Sequence, residues 1–104
     1  MYTGNRNGAT DNVIYTTRAV KYLTIGNFHS ALNDYNTVIK KGFTGEEKDT
    51  NLESTSYYFR GIANLHLKKK KEALADFNTA IAKGCPIPDV YKYRDTLKKE
   101  IYGY

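Results

Sequence analysis

The sequence holds one cysteine, two prolines, one methionine and no tryptophan in 104 residues. A single thiol, Cys85, excludes an internal disulfide and any metal cluster built on cysteines. No run of apolar residues approaches the roughly 20 that a membrane-spanning helix needs, so no membrane insertion is expected. The first ten residues, MYTGNRNGAT, lack the apolar core of a secretory leader and read as a flexible polar tail cut from something longer. No Asn-x-Ser/Thr acceptor occurs, a lack compatible with any compartment without that modification. The expectation is a soluble chain, cytoplasmic by default, whose compartment the sequence leaves open.

Catalytic signatures are missing as well. His29 and His66 stand in different helical contexts, and there is no His-x-x-x-His or Glu-x-x-His spacing, phosphate-binding glycine loop or serine elbow. Cys85 follows Gly84 and precedes Pro86, with nothing nearby to activate a thiolate, so it is expected to be packed or idle. Asp34 and Asp76 recur at equivalent places and are expected to face solvent or cap a neighbour. No enzyme, no catalytic residue, no cofactor and no metal is expected.

What is present is an ordinary globular composition, 40% apolar and 26% charged, at the length of one domain with a modest core. Ten tyrosines and four phenylalanines supply unusual aromatic content, suited to filling space between helices with the hydroxyls at the edge. Charge is uneven. Residues 1 to 59 carry six basic and six acidic side chains, whereas residues 60 to 104 carry ten basic and five acidic, so the whole net charge of +5 lies in the second half.

The chain repeats itself. SALNDYNTVIKKG, residues 30 to 42, matches EALADFNTAIAKG, residues 72 to 84, at eight of thirteen positions, an offset of 42 residues. Upstream, Tyr15, Arg18, Ala19, Val20 and Leu23 align without a gap with Tyr57, Arg60, Gly61, Ile62 and Leu65. Apolar residues three and four apart, as in Ala31, Leu32, Tyr35, Val38 and Ile39, give the period of a helix. Gly42 and Gly84 each follow a lysine and read as left-handed C-caps. First helices are expected from about residue 11 to 24 and 54 to 67, with Asp11 or Asn12, and Ser54, as N-caps. Turns at Gly26-Asn27 and at Lys68 to Lys71 would close the two hairpins, 11–42 and 54–84. Beyond Pro86 and Pro88, Asp89 can start a fifth helix over about 88–102 that puts Val90, Leu97 and Ile101 on one side and closes the stack.

The second unit, YYFRGIANLHLKKKKEALADFNTAIAKGCP, resembles the tetratricopeptide (TPR) family through Tyr57, Gly61, Ala73, Phe77, Ala80 and Pro86. The first fits through Tyr15, Ala19, Tyr22, Gly26, Phe28, Ala31 and Tyr35, with Val38 at the last small position; together they span residues 12 to 86. The family repeats about every 34 residues, so the longer offset implies an insertion, placed as an acidic loop at 43–53. Lys68 to Lys71 replace Ile25-Gly26-Asn27-Phe28 at the second turn, where a looser or longer junction is expected. The resemblance implies an all-α, TPR-like superhelix of two antiparallel hairpins and a capping helix. Solenoids usually need about three repeats. Either the last helix suffices, or the domain pairs with itself, or it belongs to a larger parent chain.

In that family the first helices line a concave groove that takes a partner segment. Carried over, the groove comprises Val13, Thr16, Thr17 and Val20, then Tyr58, Phe59, Ile62 and His66, then Lys92, Tyr93 and Thr96. Its apolar, aromatic centre suits hydrophobic side chains of a protein or peptide partner. The basic clamp by which some relatives hold chaperone tails is replaced by Thr16, Val20, Phe59, Asp89 and Tyr93, which argues against that ligand. The expected role is a protein-interaction or scaffolding module. The alternatives are a nucleic-acid-binding accessory domain using Lys68 to Lys71, Lys92, Arg94, Lys98 and Lys99, or a self-association domain. No nucleic-acid motif supports the former.

Overall fold

The computed structural model describes residues 8–104, with side chains from residue 11 onward. The described residues are all-helical: α1 Gly8–Thr24, α2 Phe28–Lys41, α3 Gly45–Asp49, α4 Leu52–His66, α5 Lys70–Ala82 and α6 Asp89–Tyr102. Packing follows chain order, α1 on α2, α2 on α4, α4 on α5 and α5 on α6, in a body of 57 × 27 × 20 Å.

The turns inside both hairpins close by the same bonds. After α1, the Gly26 N–H donates to Leu23 O and the Asn27 N–H to Tyr22 O; after α4, Lys68 donates to Leu65 O and Lys69 to Asn64 O. Both are Schellman turns, which need a left-handed residue after the helix. Gly26 provides it at φ 81°, and Lys68 is forced to φ 66°. The second turn is therefore neither looser nor longer than the first, because the same two backbone hydrogen bonds set it and the side chain does not. Lys70 and Lys71 belong to α5 rather than to the turn. The same closure ends α5, with Gly84 donating to Ile81 O and buried Cys85 to Ala80 O. Gly42 differs from the expected left-handed cap, with φ 92° and ψ 172° and one bond from its N–H to Val38 O.

Three boundaries depart from the sequence reading. Residues 1–7 of the expected tail lie outside the described residues, while residues 8–10 continue α1, since nothing there breaks a helix. The 43–53 loop contains α3. Thr44 and Glu47 form a capping box: the Thr44 N–H donates to Glu47 Oε1 at 2.7 Å and the Glu47 N–H to Thr44 Oγ1 at 3.2 Å. Glu47 Oε1 also accepts from Asn12 Nδ2 at 3.1 Å, and the same amide donates to Gly42 O at 2.9 Å, so the insertion is tied back to α1. Finally, α4 starts at Leu52 after a left-handed Asn51. Ser54 is thus not the cap; it is buried in the first turn and donates to Asn51 O.

Each hairpin carries the same forked ion pair between its helices. Arg18 Nε and Nη2 donate to Asp34 at 2.8 and 2.6 Å, and Arg60 Nε and Nη2 donate to Asp76 at 3.0 and 2.7 Å. The two aspartates are 5% and 3% exposed, which corrects the expectation that they face solvent. A carboxylate at that depth is tolerated because the forked guanidinium satisfies both its oxygens. The bond to Asp34, then its charge, raises the Arg18 guanidinium above its usual value. In the second hairpin Asn64 Nδ2 adds a bond to Asp76 at 2.9 Å, and Arg60 Nη1 reaches Asn36 of α2 at 3.1 Å, joining the hairpins.

The apolar core falls into two clusters. One gathers Ala19, Ala31, Leu32, Tyr35, Val38 and Ala63; the other gathers Tyr58, Ala73, Leu74, Phe77, Ala80, Cys85, Val90 and Leu97. Gly61 is required where α4 meets α5, since a Cβ there would lie 2.8 Å from the Phe77 ring. Val90 and Leu97 of α6 are buried as the pattern anticipated, and Ile101 packs beside them.

Candidate functional site

Two clefts open between helices of the same rank. The first, about 150 Å³, lies between α1 and α4 and is lined by Thr16, Thr17 and Val20 on one side and Leu52, Thr55 and Phe59 on the other. The second, about 340 Å³, lies between α4 and α6 and is lined by Leu65, Asp89, Lys92, Tyr93, Thr96 and Glu100. Seven of the residues expected on a groove therefore line these clefts: Thr16, Thr17, Val20 and Phe59 in the first, Lys92, Tyr93 and Thr96 in the second.

The others are placed differently. Tyr58 is only 6% exposed, with its ring against Phe59, Phe77 and Tyr93 at centroid distances of 5.0, 5.8 and 6.2 Å. It lies in the core below the clefts, because the position that holds Thr16 in the first unit turns inward against α5. Burial, followed by the neighbouring Tyr93, Asp89 and Cys85, pushes its hydroxyl up to about 12. Ile62 is half-buried against the second core cluster. His66 stacks face to face on Phe28, 4.2 Å between centroids, at the start of α2. Val13 is exposed and lines neither cleft.

The aromatics at the cleft floors are held rigidly. Phe59 stacks on Tyr35 of α2 at 6.4 Å and 15°, and Tyr93 stacks on Phe77 of α5 at 5.3 Å and 11°. Each ring stacks on a buried neighbour and also lines its cleft, so each offers apolar area at little entropic cost. Around the larger cleft Asp89, Lys92 and Glu100 form a charged rim.

Of the basic residues that the nucleic-acid alternative would use, two are held in ion pairs, Lys70 and Arg94. Lys70 pairs with Glu100 at 3.1 Å and Lys83 with Glu53 at 3.1 Å, while Arg94 pairs with Asp95. Among the described residues no group of three or more His, Cys, Asp or Glu side chains is placed to hold a metal ion, and no helix is long and apolar enough to cross a membrane.

One repeat escaped the sequence reading. Tyr-x-x-Arg occurs as Tyr15–Arg18, Tyr57–Arg60 and Tyr91–Arg94, with the guanidinium 5.5, 5.4 and 5.3 Å from the ring each time. The first two copies are 42 residues apart and the last two 34, so no single period relates all three. The motif makes α6 a third first-type helix, in the same register on α5 as α4 on α2. Phe59, Ala63 and Leu67 face α2 where Tyr93, Leu97 and Ile101 face α5. Comparison with protein-family models, curated proteins and solved structures yields no match for the chain.

Proposed function

We propose that this chain is a TPR-like protein-interaction module that receives an extended or helical partner segment along the face shared by α1, α4 and α6. The observation that carries the reading is the pair of clefts floored by Phe59 and Tyr93, two rings pinned from behind by Tyr35 and Phe77. Rigid aromatic anchors in concave sites supply most of the energy in peptide recognition. The preferred segment carries apolar or aromatic side chains for the two clefts, with polar groups between them for the rim.

Selection of peptides from a random displayed library against the intact domain tests this. Recovered peptides are expected to share two apolar positions and to lose about tenfold or more in affinity when Val20 or Thr96 becomes Arg. Both residues are exposed, so the far-ultraviolet spectrum should not change. Peptides whose binding survives both substitutions would overturn the groove assignment.

A further inference from the structure

The two ends of the helical stack are finished differently. Seven large apolar side chains are exposed among the described residues; three of them, Val13, Ile14 and Val20, belong to α1, and a fourth, Ile25, follows directly after it. At the far end, α6 turns Arg94, Asp95, Lys98 and Lys99 away from α5, and Asp95 occupies the place that Ala19 and Gly61 keep small in the hairpins. A helix could not approach that side closely without burying the Asp95 carboxylate. Among the described residues, the outer side of α6 is charged, whereas the outer side of α1 carries exposed apolar side chains.

The molecule shows what such an open face accepts, because it covers the same face twice. On α4, the buried or half-buried positions Ser56, Phe59, Ala63 and Leu67 lie under α2. On α6, the corresponding Val90, Tyr93, Leu97 and Ile101 lie under α5. In both cases an aromatic of the covering helix, Tyr35 or Phe77, stacks at the centre. Moving back 42 residues from α4 gives Ile14, Thr17 and Lys21 on α1 and Ile25 in the turn just beyond it, and all four are exposed. Arg18 stands where Arg60 uses its spare nitrogen to hold Asn36 of the covering helix, and it makes no such bond among the described residues.

The occupant can be specified from charge. Ala63 and Leu97 are neutral at the centre of the two covered faces, whereas α1 has Lys21 there beside Arg18. A second copy of α1 across a two-fold axis would oppose these cations to themselves. We infer that the outward stripe of α1 docks an acidic amphipathic helix of a partner. That helix lies antiparallel to α1, as α2 lies on α4 with Phe28 at its start against His66 near the α4 end. It places an aromatic over Thr17, apolar side chains on Ile14 and Ile25, and a carboxylate opposite Arg18 and Lys21. The lysine stem then covers apolar surface while its ammonium meets the acid. This stripe adjoins the first cleft at Thr17, while Ile14, Lys21 and Ile25 line neither cleft, and it does not depend on the clefts having a ligand.

The probe is a synthetic peptide with the α2 sequence, residues 28–41, carrying Asn36→Asp, Lys40→Gln and Lys41→Gln to make it acidic and bridged between solvent-facing side chains to keep it helical. It should bind the intact chain and shift backbone amide resonances along α1. Affinity should fall about tenfold or more on Ile14→Asp or Ile25→Asp, and severalfold on Lys21→Glu or when the peptide carries Asn36→Lys instead. Two separate isoleucine variants guard against one of them disturbing α1, and circular dichroism reports that directly. Absence of binding, binding indifferent to both isoleucine substitutions, or shifts centred on Phe59 and Tyr93 would each overturn the proposal. So would a dimer of the chain alone that Ile14→Asp dissolves, since the stripe would then be filled by a second copy.

Discussion

The two hairpins share a pattern and differ in how firmly they are set. In the second, Arg60 is 22% exposed in its side chain, Asp76 has a further bond from Asn64, and Arg60 reaches across to Asn36. In the first, the equivalent Arg18 is 53% exposed, Tyr22 stands where Asn64 would be, and the third nitrogen of Arg18 has no counterpart of Asn36 among the described residues. The same ion pair is therefore part of a buried network in one hairpin and a half-solvated contact in the other. Position in the stack, and not the pair itself, decides its energetic weight.

The sharpest way to break the comparison is to remove the acid. Asp76→Ala strands Arg60 and Asn64 in a mostly buried setting and should cost about 3 kcal/mol in chemical denaturation. Asp34→Ala should cost clearly less, because water can take up Arg18; equal losses would mean the neighbouring hairpin contributes nothing. Next comes the contact at Gly61. Gly61→Ala pushes a methyl group into the Phe77 ring and should cost about 2 kcal/mol, whereas the equivalent Ala19 already accommodates its own methyl at 0% exposure.

Two smaller changes make the hairpins more alike. Lys68→Gly relieves a left-handed lysine at the position held by Gly26 and should raise stability by up to about 1 kcal/mol, while Gly26→Lys should lower it by a similar amount. Tyr35→Phe copies Phe77 into the first hairpin. The Tyr35 hydroxyl is buried with no partner, so its removal should be neutral or mildly stabilising. Burial holds the Tyr35 hydroxyl, like that of Tyr58, in the protonated form beyond the ordinary tyrosine range. Because the folded state keeps these protons after the unfolded chain has lost them, stability is fully present below about pH 10 and declines as pH rises toward 12 and beyond. Tyr35→Phe should make that alkaline decline shallower and remove one late-titrating tyrosinate from the absorbance curve.

Much of this was legible beforehand because it depends on local periodicity. The apolar spacing of Ala31, Leu32, Tyr35 and Val38 and its echo at Ala73, Leu74, Phe77 and Ala80 define two helices that fold back on their partners. The glycine after each placed the ends. What escaped was of two kinds. Short signals were passed over, as with the Thr44-x-x-Glu47 box inside the acidic insertion and the third Tyr-x-x-Arg. Long-range choices had no local signal at all. Nothing around Asp34 or Asp76 says whether an aspartate on a helix faces water or an arginine sixteen residues earlier, and nothing around Tyr58 says whether it lines a cleft or packs in the core beneath it.

The sequence by itself determined the helices, their order and their pairing into hairpins, because helix period, capping and small-residue spacing act over a few residues. Tertiary packing decided which residues are surface. It buried Tyr58 and left Thr17 and Ile14 open, although each belongs to a repeated position, because burial depends on whether a neighbouring helix is there to cover it. Repetition specifies a face; only the stack supplies, or withholds, the helix that lies on it.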